Sequence, residues 1–107
     1  MKELPLCPVE VSLSMIGDKW KVLILRELMA GTKRFGEILG AINGVSQKVL
    51  TQKLREMESD GLLNRVAYAE IPPRVEYSLT DMGKTLSPVL DSLKEWGEMY
   101  RKMESES

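Results

Sequence analysis

The stretch "EIPPRVEYSLTDMGKTL", residues 70–86, decides the fold. Pro72 and Pro73 have no N–H to give a sheet ladder, so they belong in a loop. After them Val75, Tyr77 and Leu79 alternate with Glu76 and Ser78, which is the period of a strand. Just before the prolines, Asn64, Val66 and Tyr68 alternate with Leu63, Arg65 and Ala67. The two runs therefore predict an antiparallel hairpin with a proline-stiffened tip. Thr80 follows as a helix N-cap, opening a last helix from Asp81 to about Met103.

Upstream of the hairpin the period is helical. Pro8 to Ile16 reads as a first helix, with Pro8 at its first position, Val9, Leu13 and Ile16 on one face, and Gly17 at its end. Asp18 caps a second helix that turns Trp20, Leu23, Ile24 and Leu28 inward and Lys19, Lys21 and Arg26 outward, closed by Gly31. Thr32 to Phe35 is long enough for a single bridge of strand. Phe35, Ile38, Leu39 and Ile42 mark a short third helix, which Asn43 and Gly44 break. Ser46 caps a fourth running to about Asp60, with Leu50, Leu54 and Met57 facing the core and Gly61 as its stop. Two helices joined by so short a turn suggest a helix-turn-helix. Three helices followed by a hairpin is the order of a winged helix, mainly α with a small β-hairpin.

Composition narrows the function. The chain has 107 residues, no histidine and one cysteine, Cys7. A Ser-His-Asp triad, a Cys-His dyad and a His/Cys zinc site are all excluded. Glu56, Glu58 and Asp60 look like a solvated helix end and not an acid-base pair, so we expect no enzyme, no metal and no cofactor. No apolar segment follows a basic start and one cysteine cannot form an internal disulfide, so a cytoplasmic, non-membrane protein of one domain, residues 1–107, is expected. The net charge of −1 says little by itself. Its distribution says more: residues 33–74 carry seven Lys/Arg against five Asp/Glu, and residues 75–107 carry four against seven. A mildly basic centre precedes an acidic tail.

The outward face of the fourth helix is Lys48, Thr51, Gln52 and Arg55, spaced i, i+3, i+4 and i+7, with Gln47 beside it. Such donor-rich side chains suit base edges and phosphates in a major groove, and Ser46, Gln47, Thr51 and Gln52 are open to either role. The bland alternative is a solvated helix face. In the hairpin, Pro72 and Pro73 fix φ and so reduce the ordering entropy lost on binding. Arg74 and Arg65 are then candidate phosphate or minor-groove contacts, with Lys33 and Arg34 adding charge nearby.

"CPVE" at 7–10, "KWKVLIL" at 19–25, "LTQKLREME" at 50–58, "DGLLNR" at 60–65 and "PPRVEYSLTDMG" at 72–83 together resemble the HxlR-type winged-helix transcription regulators of bacteria, relatives of the MarR group. The likeness covers about residues 7–97. It implies a homodimeric DNA-binding regulator, often a repressor, on inverted repeats near the genes it controls, with the fourth helix as reader and Leu63–Leu79 as wing. Two residues depart from the pattern: Asp18 stands where a small residue is expected, and Gly40 where a polar one is commoner. A winged-helix module that binds protein instead of DNA is the alternative.

In the last helix Met82, Leu86, Val89, Leu93, Trp96, Tyr100 and Met103 form a 4-3-4-3-4-3 seam, with a kink expected at Pro88. Part of the seam closes the monomer core or all of it faces a partner; Trp96 and Tyr100 lie beyond what three short helices reach. Val9, Leu13 and Ile16 are the natural partner surface. Cys7, beside Pro8, sits where the helix dipole favours an anionic sulfur. Several HxlR-type regulators have an N-terminal cysteine that in some responds to oxidants or electrophiles, so Cys7 is a candidate sensor; the alternative is an inert small hydrophobe. The effector is left unassigned.

Overall fold

A computed structural model describes residues 3–106; Met1, Lys2 and Ser107, inside the expected domain, lie outside the described residues. Nine elements follow in order: α1 Pro8–Ile16, α2 Lys19–Met29, β1 Lys33–Arg34, α3 Phe35–Ala41, α4 Gln47–Ser59, β2 Leu63–Tyr68, β3 Arg74–Leu79, α5 Asp81–Lys84 and α6 Ser87–Glu106. The strands form one antiparallel sheet in the order β1-β3-β2. β2 and β3 are the hairpin, registered Leu63 to Leu79 through Tyr68 to Arg74, and β1 adds Lys33 opposite Tyr77 and Arg34 opposite Glu76. The Ile71–Pro72 bond in its loop is cis. Among the described residues no helix is long and apolar enough to cross a membrane, and no group of His, Cys, Asp or Glu is placed to hold a metal.

The predicted caps are present. Asp18 accepts from the Lys21 N–H at 3.0 Å and Ser46 from the Val49 N–H at 3.1 Å, each satisfying a backbone donor the helix leaves over. α4 ends in a Schellman turn: Gly61, at φ +79°, donates to Glu58 at 3.0 Å, and Leu62 donates to Met57 at 3.0 Å. Only a residue without a Cβ takes that φ cheaply. The core is Ile24, Leu25, Leu28, Ile38, Leu50, Leu54 and Met57, closed by Leu62, Leu63, Tyr77 and Leu79 of the wing root. Burying each such aliphatic side chain stabilises by about 1.5–3 kcal/mol.

Four details differ from the sequence expectation. Lys21, expected outward, is 8% exposed, because its stem packs on the core while its ammonium pairs with Glu56 at 3.1 Å. Leu25 joins the core, since α2 is covered on a wider face than one stripe. In β2 only Leu63 is buried: the strand runs off the core into solvent, so its alternation has no second face to bury. The last helix is two helices. The Thr85 and Leu86 N–H groups bond three residues back, to Met82 and Gly83, which closes α5 as a tight turn. Pro88, with no N–H for the Lys84 carbonyl, then sits in the first turn of α6, where none is needed.

Asp18 has a second role. Lys53 of α4 meets its carboxylate at 2.7 Å and also approaches Glu56 at 3.8 Å, so Asp18, Lys53, Glu56 and Lys21 link the start of α2 to the middle of α4. Partial burial raises the Asp18 pKa, but the Lys53 hydrogen bond, the Lys21 N–H and both ammonium charges outweigh it and hold the carboxyl below its ordinary 3.8. The Asp18 hydrogen bond and charge raise Lys53 above its ordinary 10.5 against desolvation. A depressed acid stabilises above its unfolded pKa and fades as pH falls through the folded one; a raised lysine stabilises below its unfolded pKa and fades as pH rises past the folded one. The pair is thus fully present from about pH 5 to 9. Asp18→Asn should keep the cap and lose under about 1 kcal/mol, a small figure because the Asp18 side chain is 35% exposed and solvent-screened. Asp18→Ala should lose about 0.5–2 kcal/mol more with the cap. Urea denaturation at pH 3, 5, 7 and 9 checks this: the wild-type advantage over Asp18→Asn should hold from 5 to 9 and shrink at 3, and an undiminished difference at pH 3 would refute the ionic origin.

Candidate nucleic-acid interface

α4 buries Leu50, Leu54 and Met57, so its opposite face must look outward, and there Gln47, Lys48, Gln52 and Arg55 are exposed. They line a shallow concavity with Thr51 and Glu56. Thr51 is half-buried, and its hydroxyl donates to the Gln47 carbonyl at 2.8 Å. It therefore offers a methyl and lone pairs, not a free proton. Ser46 has its oxygen engaged as the cap and stays exposed at the helix start.

A second cleft separates α4 from the wing. Gln47, Thr51, Arg55 and Glu58 form one wall and Arg65, Val75 and Tyr77 the other, with Phe35 at its side. Arg55 and Arg65, ten positions apart in sequence, thus share one cleft. Neither makes an ion pair among the described residues, and the same holds for Lys33, Arg34 and Lys48. Arg34 is exposed at the α3 N-cap, where its N–H donates to Glu37 at 2.9 Å, and it lines a recess with Pro72, Pro73 and Arg74 of the wing loop. Lys53 is on α4 but turns away, into the Asp18 pair.

Arg74 stands apart from these free cations. Its NH2 nitrogen lies 3.1 Å from Glu70, its Nε 3.5 Å from Glu76, and its guanidinium 4.1 Å from the Tyr68 ring centroid. The side chain is 27% exposed, and Nε is shut from solvent with no hydrogen-bond partner among the described residues. Glu70, Glu76 and Tyr68 were not singled out in the sequence, although Glu70 and Glu76 flank Arg74 at i−4 and i+2 and Tyr68 is its cross-strand neighbour. That spacing is the signal.

The expected dimer residues separate into two sets. Ile16 is 7% exposed and belongs to the core, and Leu86 is partly buried against it. Val9 and Leu13 of α1 and Val89 and Leu93 of α6 are exposed and line one apolar groove. Trp96, 61% exposed, stacks on Tyr100 with ring centroids 5.5 Å apart at 12°. α6 has no buried residue. Cys7 is exposed, at the α1 N-cap position in extended conformation, and its side chain makes no cap bond.

Residues 15–105 match the model of the family described as HxlR-like helix-turn-helix. An uncharacterized HTH-type transcriptional regulator of Methanothermobacter thermautotrophicus is 55% identical over 95 residues, which are 89% of this chain and 72% of that one. Among solved structures, the redox regulator HypR in its reduced form superposes with a TM-score of 0.87 at 42% identity, over 94% of this chain and all of that one. Its oxidized form gives 0.82 at 46%, over 87% and 96%. The reduced form of the transcriptional regulator YodB from Bacillus subtilis gives 0.76 at 36%, over 90% and 95%. These are transcriptional regulators and not enzymes, and their winged helix-turn-helix is the fold described above. The chain belongs to the HxlR-like helix-turn-helix family and is a transcriptional regulator of the helix-turn-helix type.

Proposed function

We infer that the protein is a homodimeric repressor that binds an inverted-repeat DNA operator through α4 and the wing, with Cys7 as a thiol that senses oxidants or electrophiles. The observation that carries the reading is the α4 face: Gln47, Lys48, Gln52 and Arg55 project from a helix whose other side is fixed in the core. A helix about 10–12 Å across fits a major groove about 12 Å wide. Gln47, Thr51 and Gln52 face the bases. Lys48, Arg55, Arg65, Lys33 and Arg34 meet phosphates, with Pro72 and Pro73 at the wing tip beside the backbone. Second copies meet through Val9, Leu13, Val89, Leu93, Trp96 and Tyr100, an apolar surface too extensive for a solvated tail. Two-fold symmetry places the half-sites about 34 Å, or ~10 base pairs, apart. The family model and the DNA-facing chemistry of α4 support the operator; the names of HypR as a redox regulator, and of YodB in a reduced form, support the thiol. Cys7 is solvent-accessible, as such chemistry requires. Two Cys7 thiols would join as a disulfide across the dimer, passing two electrons and two protons to the oxidant.

Genome-wide mapping of bound DNA supplies the operator, and titration of the purified protein against it tests the reading. Affinity should fall steeply with salt; Arg65→Ala should weaken binding to all sequences alike and lower the salt slope by about 1, and Gln52→Ala should cost about 1–3 kcal/mol and relax specificity. Salt-insensitive or absent binding would sink the proposal. Leu93→Glu should sediment as a monomer while keeping its helical circular dichroism, and an intact dimer would remove α6 from the interface. Diamide should change operator affinity of the wild type and leave Cys7→Ser unaffected; an equal response in both would make Cys7 inert.

A further inference from the structure

We propose that Arg74 serves DNA binding as a positioning residue that locks the wing loop in shape, and not as a phosphate contact; this rests on the reading of the wing as a DNA-binding element.

The geometry joins three pieces of the wing at one guanidinium. Tyr68, the last residue of β2 and the cross-strand partner of Arg74, offers its ring face at 4.1 Å. Glu70, in the loop, holds the NH2 nitrogen at 3.1 Å. Glu76, two residues along β3 on the same face, holds the Nε side at 3.5 Å. The loop between Tyr68 and Arg74 has few other ties: the Glu70 N–H donates to the Tyr68 carbonyl at 2.9 Å. Without Arg74, residues 69–73 would keep that one hydrogen bond and the two prolines, beside the recess they share with the start of α3.

The same geometry argues against a phosphate role. A phosphate seeking the NH2 and Nε nitrogens would have to compete with Glu70 and Glu76, both already at ion-pair distance. Nε is sealed from solvent. Arg65 lies on the neighbouring strand, exposed and without an ion pair among the described residues, so the wing presents a freer cation for the backbone. Holding a loop in its bound shape beforehand strengthens binding by cutting the ordering cost, without any contact to the ligand. The planar fork of Arg, which engages two carboxylates and stacks on a ring, is not reproduced by Lys.

Charge-conserving variants separate the two roles. In the DNA-free protein, amide exchange at Glu70 should be slow in the wild type and accelerate in Arg74→Lys and Glu70→Asp. Binding to a 40-base-pair duplex of random sequence at low salt should weaken about three- to tenfold in both, with the salt slope unchanged. A phosphate-contacting Arg74 gives the opposite pattern: Arg74→Lys binds like wild type, Glu70→Asp binds equally or more tightly, and Arg74→Ala lowers the slope by about 1. Wild-type exchange at Glu70 in both variants overturns the positioning role whether or not DNA binds. Failure of the wild type itself to bind the duplex, with exchange accelerated in the variants, would overturn the DNA-binding reading while leaving the loop latch standing.

Discussion

The junction between α4 and the wing is tied at one residue, Thr80. Its N–H donates to the Leu62 carbonyl at 3.0 Å, its hydroxyl donates to the Gly61 carbonyl at 2.6 Å, and the same oxygen accepts from the Gly83 N–H at 3.0 Å. The end of α4, the end of β3 and the start of α5 are thereby tied at a single point. Gly83 completes the clasp by its lack of a side chain, because a Cβ there would run into the Leu62 carbonyl. The Schellman turn at Gly61 fixes how the chain leaves α4, and Thr80 fixes where it comes back. These bonds join the packing of Leu62, Leu63, Tyr77 and Leu79 in setting the wing against α4.

This constraint explains why a hairpin whose β2 strand buries little can still act as a defined surface. β2 has one buried residue, so burial does not hold the strand in place beyond Leu63. Register with β3 and the clasp at its root do so instead, and at the distal end the Arg74 cluster is the only side-chain grouping that bridges strand, loop and strand among the described residues. The root is held by the burial of Leu62, Leu63, Tyr77 and Leu79 and by hydrogen bonds, the tip by charge near solvent. Salt weakens the second far more than the first.

Much of this was legible in the sequence, because it is local. Ser46, Asp18 and Thr80 announce helix starts through their side-chain oxygens, and Gly61 announces a stop through its φ. The donor stripe on α4 follows from helical period alone. What was not legible depends on partners far along the chain. Lys21 and Lys53 look like solvated cations until Glu56 and Asp18 are brought beside them, and Asp18 meets a lysine thirty-five positions away. Ile16 has the spacing of an α1 surface residue but is the one that the α1–α2 corner turns into the core. The division of the last helix falls between these extremes: Pro88 signalled an interruption, and only the bonding of Thr85 and Leu86 set where it falls.

The same partnering determines what a net charge of −1 means for this molecule. Of the seven cations in residues 33–74, Lys53 and Arg74 are neutralised by carboxylates within the fold. Those pairs also withdraw Asp18, Glu56, Glu70 and Glu76 from the local field. Lys33, Arg34, Lys48, Arg55 and Arg65 remain, all on α4, the wing or the strand beside it. α6, which carries an excess of acids, packs on α2 and lines none of the Arg55–Arg65 cleft. A polyanion would therefore be drawn to one face of a nearly neutral protein, within about a Debye length of ~8 Å at physiological salt, and not to its surface at large.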